Sequence, residues 1–254
     1  MIDLIVFSVG DNKYAMNIEN VQRIIQAKSL TDIPNAHECI NGMMSYEDQV
    51  IKVLNFRKLI GMKTYENELH ILFSSLVKMH DEWLEALKSS LYDGVVFTKT
   101  FDPHACGLGV WIDSFNAYDD HVLDVLNKLV ESHKQLHVLG GVAYELREKD
   151  KEKSLEIFNN EIVPIYNSTM GALEIFIKEL DIVADSLQKF LIYDSENTLF
   201  AIKVDAIEDI AHVEESEFIP TGSDHNESEF LELEGVLDLK GVLINVIKTV
   251  KLPN

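Results

Sequence analysis

The two histidines of His133-Lys-Gln-Leu-His137 stand four residues apart. On an α-helix that spacing stacks two imidazoles on one face, a geometry that chelates a metal ion. Leu126, Leu129 and Leu136 share the face, so both rings point into an apolar interior, where a polar ring without a partner is costly. His80 lies on a second apolar stripe, with Leu76, Val77, Trp83 and Leu84 three and four residues away. Cys106 opens the stretch Cys106-Gly-Leu-Gly-Val-Trp111, whose glycines at 107 and 109 let the backbone turn tightly around the sulfur. Three imidazoles and one thiolate make a closed tetrahedral set of the kind one zinc ion accepts, with Zn–S near ~2.3 Å and Zn–N near ~2.0 Å. Such a set suits a structural or sensing site, because hydrolysis needs an open position for water and a general base, and four protein ligands leave neither. The competing reading is an apolar core whose buried histidines bond to backbone carbonyls.

The elements that must hold these residues change character along the chain. Residues 1–64 are short apolar runs (Ile2 to Phe7, Tyr14 to Met16, Val50 to Leu54) broken by Gly10-Asp-Asn12, Pro34-Asn35 and Gly42. Runs so short and so often punctuated suggest small β-barrels or a sandwich. Ile18, Val21, Ile24 and Ile25 fit either a strand or a strand entering one helical turn. From about Glu66 the period becomes helical. One stripe runs Leu72, Phe73, Leu76, Val77, His80, Trp83, Leu84, Leu87; a second runs Val122, Val125, Leu126, Leu129, His133, Leu136, His137. A third covers Leu155 to Leu187, with Pro164 and Gly171 expected to kink it. After Gln188 strand texture returns, separated by turn formers at Asp194 to Asn197, Pro220-Thr-Gly222 and Lys240-Gly241. The expected organisation is α+β: a β domain in two parts, 1–64 and 187–254, interrupted by an inserted helical bundle at 65–186.

His80-x-x-Trp83, Cys106-x-Leu108-Gly109-x-Trp111 and His133-x-x-x-His137, in this order on a helical segment, resemble the chemoreceptor zinc-binding domain of bacterial signalling proteins. The resemblance implies an antiparallel four-helix bundle in which His80, Cys106, His133 and His137 bind one zinc, and a link to sensing zinc or oxidants such as hypochlorous acid. The flanks resemble the two halves of a CheW-like domain, a pair of small five-stranded β-barrels that couples chemoreceptors to the histidine kinase CheA. The first half carries Phe7 through Val21 and Ile33-Pro-Asn-Ala36 to Gly42, the second Phe200-Ala-Ile-Lys-Val-Asp205 and Glu234-Gly-Val236. One departure bears on partners. Where that family usually shows Asn-Leu-Arg-Gly-x-x-x-Pro, this chain has Ser45-Tyr-Glu47-Asp48-Gln-Val-Ile-Lys52. An arginine near the partner surface is thus replaced by acid, which alters on-rate and partner choice; neutral drift on a surface turn is the bland alternative. A second functional reading keeps zinc or redox sensing and makes the CheW-like part a scaffold or homodimerisation module outside the receptor and kinase array.

The 254 residues carry 22 Lys and Arg against 43 Asp and Glu, a formal charge of −21. So acidic a chain repels nucleic acid and anionic membrane surfaces. No run approaches the ~20 apolar residues of a membrane span, and the amino terminus lacks a secretory pattern, so a cytoplasmic location is expected. Eleven acidic residues and no Lys or Arg lie from Asp205 to Glu234; a solvated face, a docking surface for a basic partner or a weak cation site would use them. Cys39 reads as a structural cysteine. No phosphate-cradling loop or nucleophilic triad appears, and no catalytic activity is expected. Oxidation of a zinc-bound Cys106 would remove the soft ligand, and strain at the splice points near Tyr65 and Ser186 is expected to carry the change to the adaptor surface.

Overall fold

Strand pairing shows how the two flanks of the helical segment become one β unit. The computed structural model describes residues 1–115, 118–195, 197–219 and 229–253. The first flank gives β1 (Ile2–Val9), β2 (Asn12–Asn17), β3 (Val21–Gln26), β4 (Ile40–Tyr46) and β5 (Gln49–Asn55). The second gives β6 (Lys189–Ser195), β7 (Thr198–Val204), β8 (Ala206–Val213), β9 (Leu231–Leu239) and β10 (Val242–Val250). They form two five-stranded sheets, ordered β8-β1-β2-β10-β9 and β3-β6-β7-β5-β4. Each sheet mixes both flanks, with β10 parallel to β2 and β7 parallel to β5. Neither flank can complete a sheet alone, so the β unit closes only when the chain returns from the insertion.

One residue pairs with each of two edge strands: Thr31 bridges Met43 of β4, and Ile219 bridges Val236 of β9. Gly42 makes the first approach feasible, since its φ of +144° and a Cβ only 2.8 Å from the Thr31 oxygen exclude a side chain there. Gly42 therefore sits inside a strand rather than breaking one. The main core lies where the sheets meet, with Ile5, Phe7, Leu54, Leu191, Phe200 and Ile202 all buried. Phe56 sets its ring edge-on to Phe7 and Tyr14 at 5.3 and 4.8 Å. The chain adopts the expected α+β class, and where the resemblance implies two five-stranded β-barrels the strands form two five-stranded mixed sheets. The open choice at Asn17 to Gln26 resolves as one 3-10 turn at Ile18–Asn20 followed by β3.

A buried polar network ties this unit together at the ends of the insertion. Arg57, on the short helix α1 (Phe56–Leu59), is 1% exposed. Its Nε donates to Asp205 Oδ1 at 2.8 Å and its Nη1 to the Lys63 carbonyl at 3.1 Å. The guanidinium also lies over the Tyr65 ring, 4.7 Å from its centroid. Asp205 accepts from Gly10 N at 2.7 Å and from Gln188 Nε2 at 2.9 Å. Lys203, 2% exposed, pairs with Asp185 at 2.7 Å.

The chain divides into two compact units, Met1–Tyr65 with Ala184–Asn254, and Glu66–Val183. Helices α2 (Tyr65–Asp93) and α4 (Asp120–Leu146) and the span from α5 (Lys151–Ile157) to α6 (Val163–Lys178) are the long elements of the second. The shorter ones are α3 (Gly107–Ser114) and α7 (Leu180–Leu187), which runs into the β unit. Pro164 has no N–H and crowds the preceding turn, and a π-turn at Phe158–Ile162 absorbs it. Gly171 interrupts nothing; the helix ends at Glu179, in a non-helical conformation. Trp83, Leu87 and Leu91 of α2 pack with Leu136 and Ala143 of α4 and with Ile157, Phe158 and Ile162. Among the described residues no helix is long and apolar enough to cross a membrane.

Of the acidic stretch, Asp205, Glu208, Glu214 and Glu232 already hold Arg57, Lys13, the terminal ammonium and Lys248. Asp224, Glu227, the Pro220 to Gly222 turn and Glu196 lie outside the described residues.

Candidate metal centre

Amphipathic periodicity buries His80 on α2 and His133 and His137 on α4 at 2%, 2% and 0% exposure. Their ring centroids lie 4.7 to 5.9 Å apart. Cys106 reaches them from the N-cap of α3, where its sulfur accepts the Gly109 N–H at 3.3 Å. Gly109 is obligatory, because a Cβ there would sit 1.7 Å from the Pro103 oxygen. Its absence of a side chain lets the cap close.

The four donor atoms all lie within 4.8 Å of one another. Cys106 Sγ is 3.1 Å from His133 Nε2 and 3.9 Å from His80 Nε2. Tetrahedral zinc bonds of ~2.0 and ~2.3 Å imply donor separations of roughly 3.3–3.6 Å, so the set is close to that shape. Two outward hydrogen bonds fix which nitrogen faces inward. His80 Nδ1 donates to the Leu76 carbonyl at 2.8 Å and His137 Nδ1 to the Thr100 carbonyl at 3.2 Å. A carbonyl only accepts, so each ring is the Nδ1–H tautomer with its Nε2 lone pair turned to the centre. Among the described residues His137 Nε2 is buried with no hydrogen-bond partner, an omission that costs ~1–3 kcal/mol unless a cation takes the lone pair. The residues present thus fit zinc. Histidine-to-carbonyl bonding and metal ligation, competing readings of the sequence, use different nitrogens of the same rings.

Burial, then the neighbouring histidines, lowers His133 to about 3; burial, then His80, lowers His137 to about 4; burial lowers His80 as well. All three are neutral at pH 7. Burial raises the Cys106 thiol, opposed by the backbone amides around Gly109. The unfolded chain, with histidines near ~6.5, binds more protons than the folded chain below that pH. The histidine contribution to metal-free stability is therefore complete above about pH 6.5 and falls as pH drops toward 4, by roughly 1.4 kcal/mol per unit for each of His133 and His137. Urea unfolding of chelator-treated protein should show this fall, and His137→Gln should remove one histidine's share of the slope. A slope unchanged by the substitution would contradict the burial argument.

The sequence did not reveal the Thr100 carbonyl, which also accepts the Trp83 indole N–H at 2.8 Å; a backbone oxygen in a loop has no side-chain signature. A cavity of about 60 Å³ beside His133, lined by Pro103, His104, Gly109 and Asp113 among others, is of a size for small molecules only.

Fold and site together define an interleaved β unit interrupted by a helical segment with a three-histidine, one-cysteine donor set. Residues 3–77, from β1 into the start of α2, match the model of the CheW-like domain. The chain is 30% identical over 77 residues to the chemotaxis protein CheW of Rhizobium meliloti, and 18% identical over 76 residues to that of Thermotoga maritima. Each match covers 30% of this chain and 50% of the relative, so the chain spans half the length of these relatives. Among solved structures it is similar to the scaffolding protein TtCheW from Thermoanaerobacter tengcongensis, at 12% identity and TM-score 0.47, covering 98% of this chain and 90% of that one. It is also similar to the regulatory CZB domain of DgcZ, at 16% identity and TM-score 0.39, covering 45% and 98%. Both scores lie below 0.5.

Proposed function

We propose that the protein is a non-enzymatic, cytoplasmic chemotaxis adaptor that couples chemoreceptors to the kinase CheA, its partner contacts tuned by zinc occupancy or by oxidation of Cys106. The observation that carries the adaptor reading is the CheW-like match over residues 3–77. The tuning rests on the donor set of His80, Cys106, His133 and His137. Bound zinc would hold the Cys106 sulfur as a thiolate, a nucleophile toward oxidants at neutral pH. A cavity of about 60 Å³ lies beside His133, lined also by Pro103 and Gly109 of the Cys106 connection. Two-electron oxidation of the sulfur to a sulfenic acid, with the oxidant reduced to chloride or water, removes the soft donor and loosens the α3 cap that the sulfur makes.

The second reading, a zinc or redox sensor or homodimerising scaffold outside the array, is favoured by the turn between β4 and β5, where Glu47 and Asp48 are exposed. Pull-down against receptor signalling tips and CheA, with zinc and with chelator, separates the two. The adaptor reading expects capture of at least one partner and a change in yield of severalfold or more between the conditions. Silence from both partners in both conditions would leave the second reading in its place.

A further inference from the structure

Thr100 lies in the connection between α2 and α3, where residues 94–106 form neither helix nor strand. Nothing in a regular backbone ladder fixes its carbonyl, yet that carbonyl accepts the His137 Nδ1–H and so sets the angle of the ring whose Nε2 faces the donor set. The other donor to it is the indole N–H of Trp83, at 2.8 Å. A carbonyl has two lone pairs and can accept both. The indole itself is immobilised: it is 3% exposed, meets the Phe97 ring edge-on at 5.8 Å and lies 5.0 Å from the His137 ring. Gly140 on α4 makes room for it, since a Cβ there would stand 2.5 Å from its outer carbon. Phe97 and Phe101 stack at 4.4 Å, and Phe101 lies 5.3 Å from Tyr144, fastening the same connection that delivers Cys106.

We infer that Trp83 is a positioning residue of the metal centre, acting through the Thr100 carbonyl to hold His137 in ligating orientation. The inference rests on the zinc reading and adds a residue that touches no metal. The strength of the effect follows from the general behaviour of outer-shell partners, whose loss lowers metal affinity ~10–100-fold. Packing alone would give Trp83 a different signature, a loss of fold stability indifferent to which ligands are present.

Zinc affinity, measured by competition with a chromophoric chelator, tests this in wild type, Trp83→Phe, His137→Ala and the double variant, with metal-free thermal unfolding recorded for each. Trp83→Phe keeps an aromatic ring and loses the N–H; it is expected to weaken zinc binding ~10–100-fold. In the His137→Ala background, where three ligands remain, the same change should have no further effect on affinity. Gly140→Ala, which displaces the indole without altering it, should weaken binding in the same non-additive way and serves if Trp83→Phe does not fold. Equal affinity of wild type and Trp83→Phe, or an equal loss with and without His137, overturns the inference while leaving the zinc site standing. A folded wild type that takes up no zinc overturns both.

Discussion

Purified after exposure to equimolar zinc, the protein is expected to hold about one zinc per chain, and Cys106→Ala or His133→Ala to lose most of it. Cys106 Sγ and His133 Nε2 stand 3.1 Å apart, and His137 Nε2 is buried without a hydrogen-bond partner among the described residues. Binding to the folded chain alone stabilises it, by ~4 kcal/mol at free zinc a thousandfold above Kd. The protonation states make the expectation sharper. With His133 near 3 and His137 near 4, and His80 lowered too, the histidines have no proton to give up at neutral pH. Only the raised Cys106 thiol must lose one. Titration calorimetry in buffers of different ionisation enthalpy should therefore find about one proton released per zinc. Affinity should fall about tenfold per pH unit from pH 8 to about 6.5, and below that His133 and His137 should add none of the steepening that ordinary histidines would. Folded wild-type protein that stays metal-free would remove the site, and a release of two or more protons at pH 7 would remove the account of its electrostatics.

What could be read from the sequence follows the range of the interactions involved. His133 and His137 are legible because ligand spacing and helix period are both local, and His80 because its stripe marks it as inward-facing. The interleaving of the flanks is not local, and pairs such as Val53 with Ala201 join positions on either side of the insertion. β4 was hidden by Gly42, which reads as a break and serves as a close approach to Thr31. β8 was hidden by its acids: Glu208 and Asp209 sit exposed on an edge strand, where charge blunts a sheet edge. The break between α6 and α7 falls at Glu179, a residue without the marks of a helix stop. Trp83 is legible as part of a spacing pattern, but its role depends on the Thr100 carbonyl, and a backbone oxygen carries no residue signature.

Asp205→Asn is expected to destabilise the β unit by ~3–5 kcal/mol, because it leaves a buried guanidinium without its counter-charge. Arg57 and Asp205 are 148 residues apart in sequence, and neither is remarkable there. Arg57 is 1% exposed and the Asp205 side chain 11%, so solvent does little to screen the pair. The carboxylate also takes the Gly10 amide and Gln188 Nε2, and an asparagine satisfies neither the charge nor all of these donors. Arg57 in turn holds the Lys63 carbonyl and the face of Tyr65, the last residues of the first flank, while Gln188 stands where the second flank begins. One ion pair thus fastens both chain ends of the insertion within the β unit. Because an apolar replacement of a buried pair is often neutral, Arg57→Met combined with Asp205→Asn should recover a large part of the loss, and the cycle should be strongly non-additive. Urea unfolding of the four proteins measures this, and the loss should persist in 1 M salt, where exposed pairs are screened. A cost below about 1 kcal/mol for Asp205→Asn, the range of a surface pair, would mean that the fastening is supplied by the strand ladders and not by this charge.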